Sequence, residues 1–138
     1  MPMKYIAHTF LLLIFSLGFN QSVLAKPSSK VVLHLNTPEK MTMLTNNVKN
    51  LRHKLGKEAD IIVVVNGPAV VRFTQLAKSR KQLDTMLGLG ADVAICSYAL
   101  KNRKLLKIQL LDGTSYLEDG GVAKLVELQQ AGYAYIKP

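Results

Sequence analysis

The sequence is poor in the side chains on which several large classes of protein depend. Its 138 residues include one cysteine, three histidines and no tryptophan. A single cysteine cannot form a disulfide within the chain, so a hydrophobic core must hold the fold. The few cysteine and histidine residues form no motif with metal-ligand spacing, and no phosphate-binding glycine loop is present. The sequence therefore predicts a domain without a metal or a cofactor.

Acidic residues are also scarce. Eighteen Lys and Arg face nine Asp and Glu, which gives a formal net charge of +9. Such a charge favours anionic surroundings: a lipid surface, an acidic partner or a small anion such as an oxidised sulfur species. The basic residues are not interleaved with aromatic ones, so we expect no nucleic-acid binding. The alternative is a basic surface that only keeps the domain soluble.

The first 25 residues have the features of a secretory signal peptide. Lys4 supplies a positive start, residues 10–15 form a short apolar run, and Val23–Ala25 has the small-residue pattern of a cleavage site. An uncleaved amphipathic anchor is the alternative. We predict a mature domain at residues 26–138, periplasmic or secreted, without stable insertion in a membrane after cleavage.

Five runs of strand length alternate with helix-like segments in the rest of the chain. The first three are apolar and rich in β-branched residues, and the second has the continuous apolar pattern of a strand covered on both faces. The runs are residues 31–35, 61–65, 91–96, 114–117 and 133–136. Strands that are separated by helices need crossover connections. The pattern therefore predicts a three-layer α/β/α domain with a mainly parallel sheet of about five strands.

The clearest helical segment opens at Thr37–Glu39 and runs to Leu55. Its apolar residues recur three and four positions apart, which defines one face of a helix. Thr37 is the expected N-cap, Pro38 lies in the expected first turn, and Gly56 is the expected stop.

The later helices have weaker signals. Residues 70–73 are expected to begin a second helix, and Ser79 and Gln82 have the spacing of a capping box. Residues 97–111 are interpreted as a short helix and a loop. The last helix is expected to be lined by three residues and to end at Gly132. Those three residues are Val122, Leu125 and Val126.

Chemically useful side chains follow the first three predicted strands. His34 and Asn36 come at the end of the first, Asn66 after the second, and Cys96 ends the third. Ligands of open parallel sheets bind beyond the carboxyl ends of the strands, so these residues form a candidate site. Backbone amides of the turn after Cys96 would favour a thiolate. A small buried hydrophobe at Cys96 and a purely structural histidine at His34 are the alternatives.

The ordered set of segments resembles the DsrE/DsrF-like (YchN-like) sulfur-relay family. The resemblance covers essentially all of residues 26–138 and depends on the whole set, since no single motif is specific. The segments are Val31–Leu35, Asn47 with Leu51, Ile61–Pro68, Gly90–Cys96 and Gly121–Pro138.

The resemblance implies a small α/β/α domain that assembles into a homotrimer or homohexamer. Several members carry sulfane sulfur as a persulfide on one cysteine, between donor and acceptor proteins, and Cys96 is the matching position. If the protein is an enzyme, the implied activity is that of a sulfurtransferase-like sulfur carrier. The best-known members work in the reducing cytosol, however, and the predicted export separates this chain from their partners.

A second hypothesis belongs to a different class of function. The domain would be a non-catalytic oligomeric binding module, in which His34, Asn36 and Asn66 hold a small anionic ligand or a partner protein. The accessibility of the thiol distinguishes the two hypotheses. A sulfur carrier needs a reactive and accessible Cys96, whereas a binding module can keep that side chain buried.

Overall fold

Residues 28–138 are described by a computed structural model and form one five-stranded sheet with helices on both faces. The strands are β1 (Lys30–Leu35), β2 (Asp60–Val65), β3 (Ala91–Cys96), β4 (Ser115–Leu117) and β5 (Ala134–Ile136). The helices are α1 (Met41–Leu55), α2 (Arg80–Gly88), α3 (Ser97–Asn102) and α4 (Gly121–Gln130). The predicted signal peptide, residues 1–25, lies outside the described residues.

The sheet has the order β4-β3-β2-β1-β5, and all four pairs of neighbouring strands are parallel. β1 and β2 pair along their whole length, from Lys30 opposite Asp60 to Leu35 opposite Val65. The carboxyl ends of the three central strands therefore meet at one edge. The predicted three-layer α/β/α fold with a parallel sheet is confirmed.

The two faces of the sheet carry cores of very different size. On one face, α1, α2 and α3 cover the larger core, which includes the completely buried Leu33 and Val63. On the other face, α4 packs against a small cluster. The members of that cluster are Val32, Val64, Leu125 and Leu128. Because side chains alternate along a strand, His34 lies on the same face as Val32 and α4.

Helix α1 follows the predicted pattern along its length but begins differently. Residues Pro38–Lys40 form a 3-10 turn, and the α-helix starts at Met41. The Thr37 hydroxyl donates to the side-chain oxygen of Asn36 at 3.0 Å and makes no capping bond. Gly56 follows the last turn with a φ of 86°, which a residue with a side chain rarely adopts.

The predicted start of the second helix is wrong. Residues Gly67–Phe73 form a 3-10 helix, and α2 begins only at Arg80. The buried Phe73 is followed by Thr74, which pairs with Leu110 in an antiparallel bridge and so prevents helical continuation. Ser79 occupies the N-cap position, but its side chain makes no capping hydrogen bond. The predicted capping box is therefore not formed.

The apolar face of α4 also differs from the expected one. Leu125 and Leu128 are buried, whereas Val122 and Val126 are exposed. The helix presents apolar residues on two sides, so the sequence alone does not determine which side packs on the sheet. Among residues 28–138, no helix is long and apolar enough to cross a membrane.

Candidate functional site

Cys96 lies at the centre of the edge formed by the strand ends. It is the last residue of β3 and packs against the larger core, while its Cβ faces the beginning of α4. A Cβ placed on Gly121 would lie 3.2 Å from the Cβ of Cys96 and 3.2 Å from that of Asn66. The predicted neighbourhood of Asn66 and Cys96 is therefore present, with the first turn of α4 above both residues.

Two consecutive glycines leave the room that this approach requires. Gly120 has a φ of 85°, and a Cβ at this position would meet the Tyr98 ring at 2.5 Å. The same Cβ would lie 3.8 Å from the Cys96 sulfur. Side chains at positions 120 and 121 would thus crowd the tyrosine ring and the space around the sulfur. The pair was not recognised in the sequence, although Gly-Gly directly before a helical segment was the available signal.

The Cys96 side chain is almost completely covered, with only 5% of the residue exposed. The following residue, Ser97, is fully buried, and its hydroxyl donates to the Glu118 carbonyl at 2.9 Å. This bond ties the beginning of α3 to the loop that leads into α4. Tyr98, next to Gly120, is 56% exposed and lies between the sulfur region and solvent.

His34 connects two other strands at this edge. Its Nε2 lies 2.9 Å from the Asn66 side-chain oxygen, and its Nδ1 lies 2.6 Å from the Tyr135 hydroxyl. A carbonyl oxygen only accepts, so Nε2 donates to Asn66. In the neutral ring, Nδ1 then accepts from the tyrosine. The chain Tyr135–His34–Asn66 runs across β5, β1 and the end of β2, towards Cys96.

Tyr135 is a residue that sequence reasoning missed. It is the middle residue of β5, stands beside Val32 in the register, and is 41% exposed. Its aromatic character at a strand position was visible, but its contact with His34 depends on the pairing of the first strand with the last. That pairing spans about a hundred positions of sequence and leaves no local signal.

Asn36 lies at the periphery of this group. Its side-chain oxygen accepts from Thr37, and its backbone oxygen would be 3.5 Å from a Cβ on Gly67. Within the described part of the chain, no hydrogen bond joins Asn36 to His34, Asn66 or Cys96. The structure thus brings together His34, Asn66 and Cys96 and leaves Asn36 beside them.

The beginning of α4 gives the site a positive electrostatic character. The helix has ten residues, starts at Gly121 and has no side-chain capping bond. The first amides of a helix have no partner within it, and together with the helix dipole they favour negative charge. Residues 28–138 contain no group of three or more His, Cys, Asp or Glu side chains that could hold a metal ion. The arrangement suits a thiolate, a persulfide or a small anion.

Comparison with known proteins gives matches among solved structures. No family model and no curated protein matches the sequence. A protein of unknown function from Methanobacterium thermoautotrophicum has a TM-score of 0.74 and 26% identity, covering 80% of this chain and 100% of that one. The YchN protein from E. coli has a TM-score of 0.68 and 16% identity, covering 80% of this chain and 99% of its own.

A conserved protein of unknown function from Bacteroides thetaiotaomicron gives a similar result. Its TM-score is 0.65 at 18% identity, with coverage of 80% of this chain and 95% of the other. These similarities extend over the part of the chain that forms the sheet and its helices. The chain therefore has a fold like that of YchN.

Proposed function

We propose that this protein carries sulfane sulfur as a persulfide on Cys96 and works as an exported, self-associating sulfur-relay protein. One observation carries the proposal: the only thiol of the chain lies at the end of β3, against Gly121 at the uncapped N-terminus of α4. Resemblance to the DsrE/DsrF-like family supports it, because the matching cysteine of several members has this role.

The chemistry requires no group beyond the thiolate and a sulfur donor. The thiolate attacks the terminal sulfur of an inorganic polysulfide, a new S–S bond forms, and the shortened polysulfide leaves with the electron pair of the broken bond. The product is an anionic persulfide. Helix dipoles favour negative charge at their N-termini, so α4 would stabilise the persulfide as well as the thiolate.

Asn66 offers a second polar group at the same place. Its side-chain oxygen is occupied by His34, so the amide NH2 remains the donor end. The Asn66 Cβ and the Cys96 Cβ both approach Gly121, so the two side chains begin at the same place. In the proposed function this amide would donate to the sulfur atom added to Cys96. His34 and Tyr135 would act indirectly, by fixing the orientation of Asn66.

The burial of Cys96 limits the kind of donor. A residue that is 5% exposed is open to a small inorganic species but not to the active site of a folded donor protein. Loading by polysulfide therefore fits this geometry better than direct protein-to-protein transfer. Transfer to a protein acceptor would require the segment of Tyr98 and Gly120 to move away from the sulfur.

The same burial favours the second candidate function, an oligomeric binding module. In that case Cys96 would be a structural residue, and a small anion would be held without a covalent bond at the start of α4. His34 and Asn66 would line the site, because the Asn66 Cβ approaches Gly121 and the Asn66 side chain is hydrogen-bonded to His34. The two functions predict different behaviour of the thiol in the folded protein.

Treatment of the folded protein with polysulfide, followed by intact mass spectrometry, tests the proposal. We expect one added sulfur atom on the wild type, removable by a reducing agent, and none on Cys96→Ser. Iodoacetamide should modify native Cys96 at neutral pH, more slowly than in urea because the side chain is covered. Gly121→Ala should slow both reactions, since its Cβ would lie 3.2 Å from that of Cys96.

If Cys96 gains no sulfur and resists alkylation until denaturant is added, the carrier function is contradicted. Protection against thermal unfolding by sulfite or thiosulfate, unchanged in Cys96→Ser, would then favour the binding module. Gly88→Ala is the matched control for the glycine substitution, because nothing lies within 4 Å of an added Cβ there.

Self-association and export belong to the same proposal. A trimer or hexamer is the state implied by the family resemblance, and light scattering at high micromolar concentration measures it. A monomer at that concentration would contradict the oligomer. N-terminal sequencing of protein recovered from the periplasm should begin near Lys26, whereas a sequence that begins at Met1 would contradict signal cleavage.

A further inference from the structure

The positive charge of the domain is concentrated in two segments. Residues 28–138 contain sixteen Lys and Arg and nine Asp and Glu, a net charge of +7. Residues 74–82 and 98–110 together contain seven basic residues and no acidic one. These two segments therefore account for the entire net charge, and the remainder of residues 28–138 is neutral. We call the two segments together the basic corner.

The fold brings the two segments together. Thr74 and Leu110 form an antiparallel bridge, and the Gln75 amide donates to the Gln109 carbonyl at 2.8 Å. The Gln75 side chain also donates to the Ile108 carbonyl at 3.2 Å. Leu76 directly follows Gln75, and Ile108 directly precedes Gln109. The basic corner thus consists of two adjacent loops together with α3 and the first turn of α2.

Three of the four most exposed large aliphatic side chains of the described residues lie on this surface. Leu76 is 92% exposed, Ile108 is 81% exposed and Leu106 is 65% exposed. Leaving such apolar side chains in water is unfavourable. Nothing within residues 28–138 covers them. Three protruding aliphatic residues in a strongly basic surface indicate a partner that offers both negative charge and an apolar interior.

Most of the basic side chains are free to meet such a partner. Arg80 pairs with Asp84 at 2.6 Å, and Lys107 pairs with the exposed Glu118 at 3.6 Å. The other five have no ion pair in the part of the chain that the structure describes. They are Lys78, Lys81, Lys101, Arg103 and Lys104. The nearby Asp112 contributes its backbone oxygen to Arg80 and leaves these five charges uncompensated.

We propose that the basic corner docks the protein on the surface of an anionic phospholipid bilayer. The lysine and arginine side chains would bind the headgroups, and Leu76, Leu106 and Ile108 would enter the boundary of the acyl chains. Side chains that protrude singly from loops suit a fluid bilayer better than the flat, packed surface of a protein. The proposal goes beyond sulfur carriage and does not involve Cys96.

Sedimentation with lipid vesicles tests the proposal on the mature protein. Vesicles of mixed phosphatidylglycerol and phosphatidylcholine should bind the protein, pure phosphatidylcholine should bind it far more weakly, and salt should weaken binding to the mixed vesicles. The double variant Lys101→Gln/Lys104→Gln should lose affinity by about fivefold for each charge. Leu76→Ser/Ile108→Ser should lose about tenfold for each side chain that enters the bilayer.

Two matched variants control for loss of charge and of apolar surface elsewhere. Lys49→Gln/Lys54→Gln changes two exposed lysines of α1, and Val122→Ser/Val126→Ser changes two exposed valines of α4. Both should bind mixed vesicles as the wild type does. All variants begin at Lys26, as the proposed mature protein does, so the apolar run at residues 10–15 makes no contribution to vesicle binding. Unchanged circular dichroism and urea midpoints would show that the variants are folded.

Four outcomes would overturn the proposal. The first is equal binding of wild type and basic-corner variants to the mixed vesicles. The second is a similar loss in the control variants, which would indicate attraction by net charge alone. The third is dissociation of an oligomer by Leu76→Ser/Ile108→Ser with unchanged vesicle binding, which would identify a self-association surface. Binding of polyglutamate that depends on the lysines but not on Leu76 or Ile108, without vesicle binding, would indicate an acidic protein partner instead.

Discussion

The two edges of the sheet use polar groups in opposite ways. At the edge where the strands begin, the Arg52 guanidinium donates to five backbone carbonyls at 2.7–3.1 Å, and the Tyr133 hydroxyl bonds to Asp60. At the edge where they end, Cys96 is covered by glycines, and Asn66 keeps a free amide end. Polar groups whose hydrogen bonds are all made within the protein stabilise the fold, whereas groups with a free donor or acceptor can bind a ligand.

Arg52 is the side chain that contributes most to the edge where the strands begin. Its partners are the carbonyls of the loop after α1 and of the loop before β3. They belong to Gly56, Lys57, Ala59, Leu89 and Gly90. The guanidinium thus joins two connections of the larger core at the opposite end of the sheet from Cys96. We therefore expect substitutions where the strands begin to reduce stability, and substitutions where the strands end to reduce function.

The largest expected effect on stability is that of Arg52→Ala. The variant leaves several carbonyls without their charged donor, so we expect a loss of about 3 kcal/mol in the free energy of unfolding. Arg52→Lys should recover part of it, because an ammonium group cannot reproduce the planar donor geometry. Urea unfolding measures both. Lys54→Ala, at an exposed position of the same helix, is the control and should change stability by less than about 0.5 kcal/mol.

A smaller effect is expected for Tyr133→Phe. The hydrogen bond to Asp60, with desolvation and the nearby negative charges, raises the pKa of Tyr133 from 10.0 to about 12. A raised pKa in the folded state means that the stabilisation is complete below pH 10 and is lost as the pH rises through about 12. We expect the variant to be less stable than the wild type by about 1 kcal/mol at pH 7.

Urea unfolding at neutral and high pH measures this difference, and absorbance at alkaline pH follows the tyrosinates. One tyrosine of the wild type should ionise near pH 12 and be missing from the titration of Tyr133→Phe. Tyr116→Phe is a suitable control, because the Tyr116 ring contacts Lys107 and its hydroxyl is not needed for that contact. A stability difference that grows with pH would contradict the assignment.

The smallest change in stability is expected for Tyr135→Phe, at the edge where the strands end. The residue is 41% exposed, so the loss should be no more than about 0.5 kcal/mol. The ring of His34 should respond more clearly, because its Nδ1 loses a donor at 2.6 Å. Nitrogen NMR should find the Nε2–H tautomer of His34 in the wild type and a mixture in the variant. His53, which is exposed, serves as the internal reference. A wild-type Nδ1–H tautomer would contradict the hydrogen-bond chain.

Local patterns predicted the strands well and the details of the helices less well. The third strand was expected at residues 91–96 and is observed there, because β-branched residues and a preceding Gly-rich turn define it locally. The capping box expected at Ser79 is absent: the Gln82 amide donates to the Ser79 carbonyl and not to its hydroxyl, and the Gln82 side chain reaches Thr42 of another helix at 3.4 Å. A tertiary contact replaced a local one, and no local pattern predicts such a contact.

The candidate site was likewise predicted only in part from the sequence. The rule for strand ends placed His34, Asn66 and Cys96 at one edge, and the structure brings them together. The roles of these residues remain predictions. Tyr135 and the Gly120–Gly121 pair were missed because their contacts depend on how distant segments pack. The burial of Cys96 also follows from that packing, through the approach of α4 to the end of β3.

The position of β1 has a consequence for the order in which the chain can fold. Of the described strands β1 is made first, but it pairs on one side with β2 and on the other with β5, the last of them. During synthesis, the backbone of Val31–Leu33 therefore has no partner on its outer side until residues 134–136 have emerged. A nascent chain would expose this hydrophobic edge for most of its elongation, which makes it a target for chaperones and for premature association with other copies.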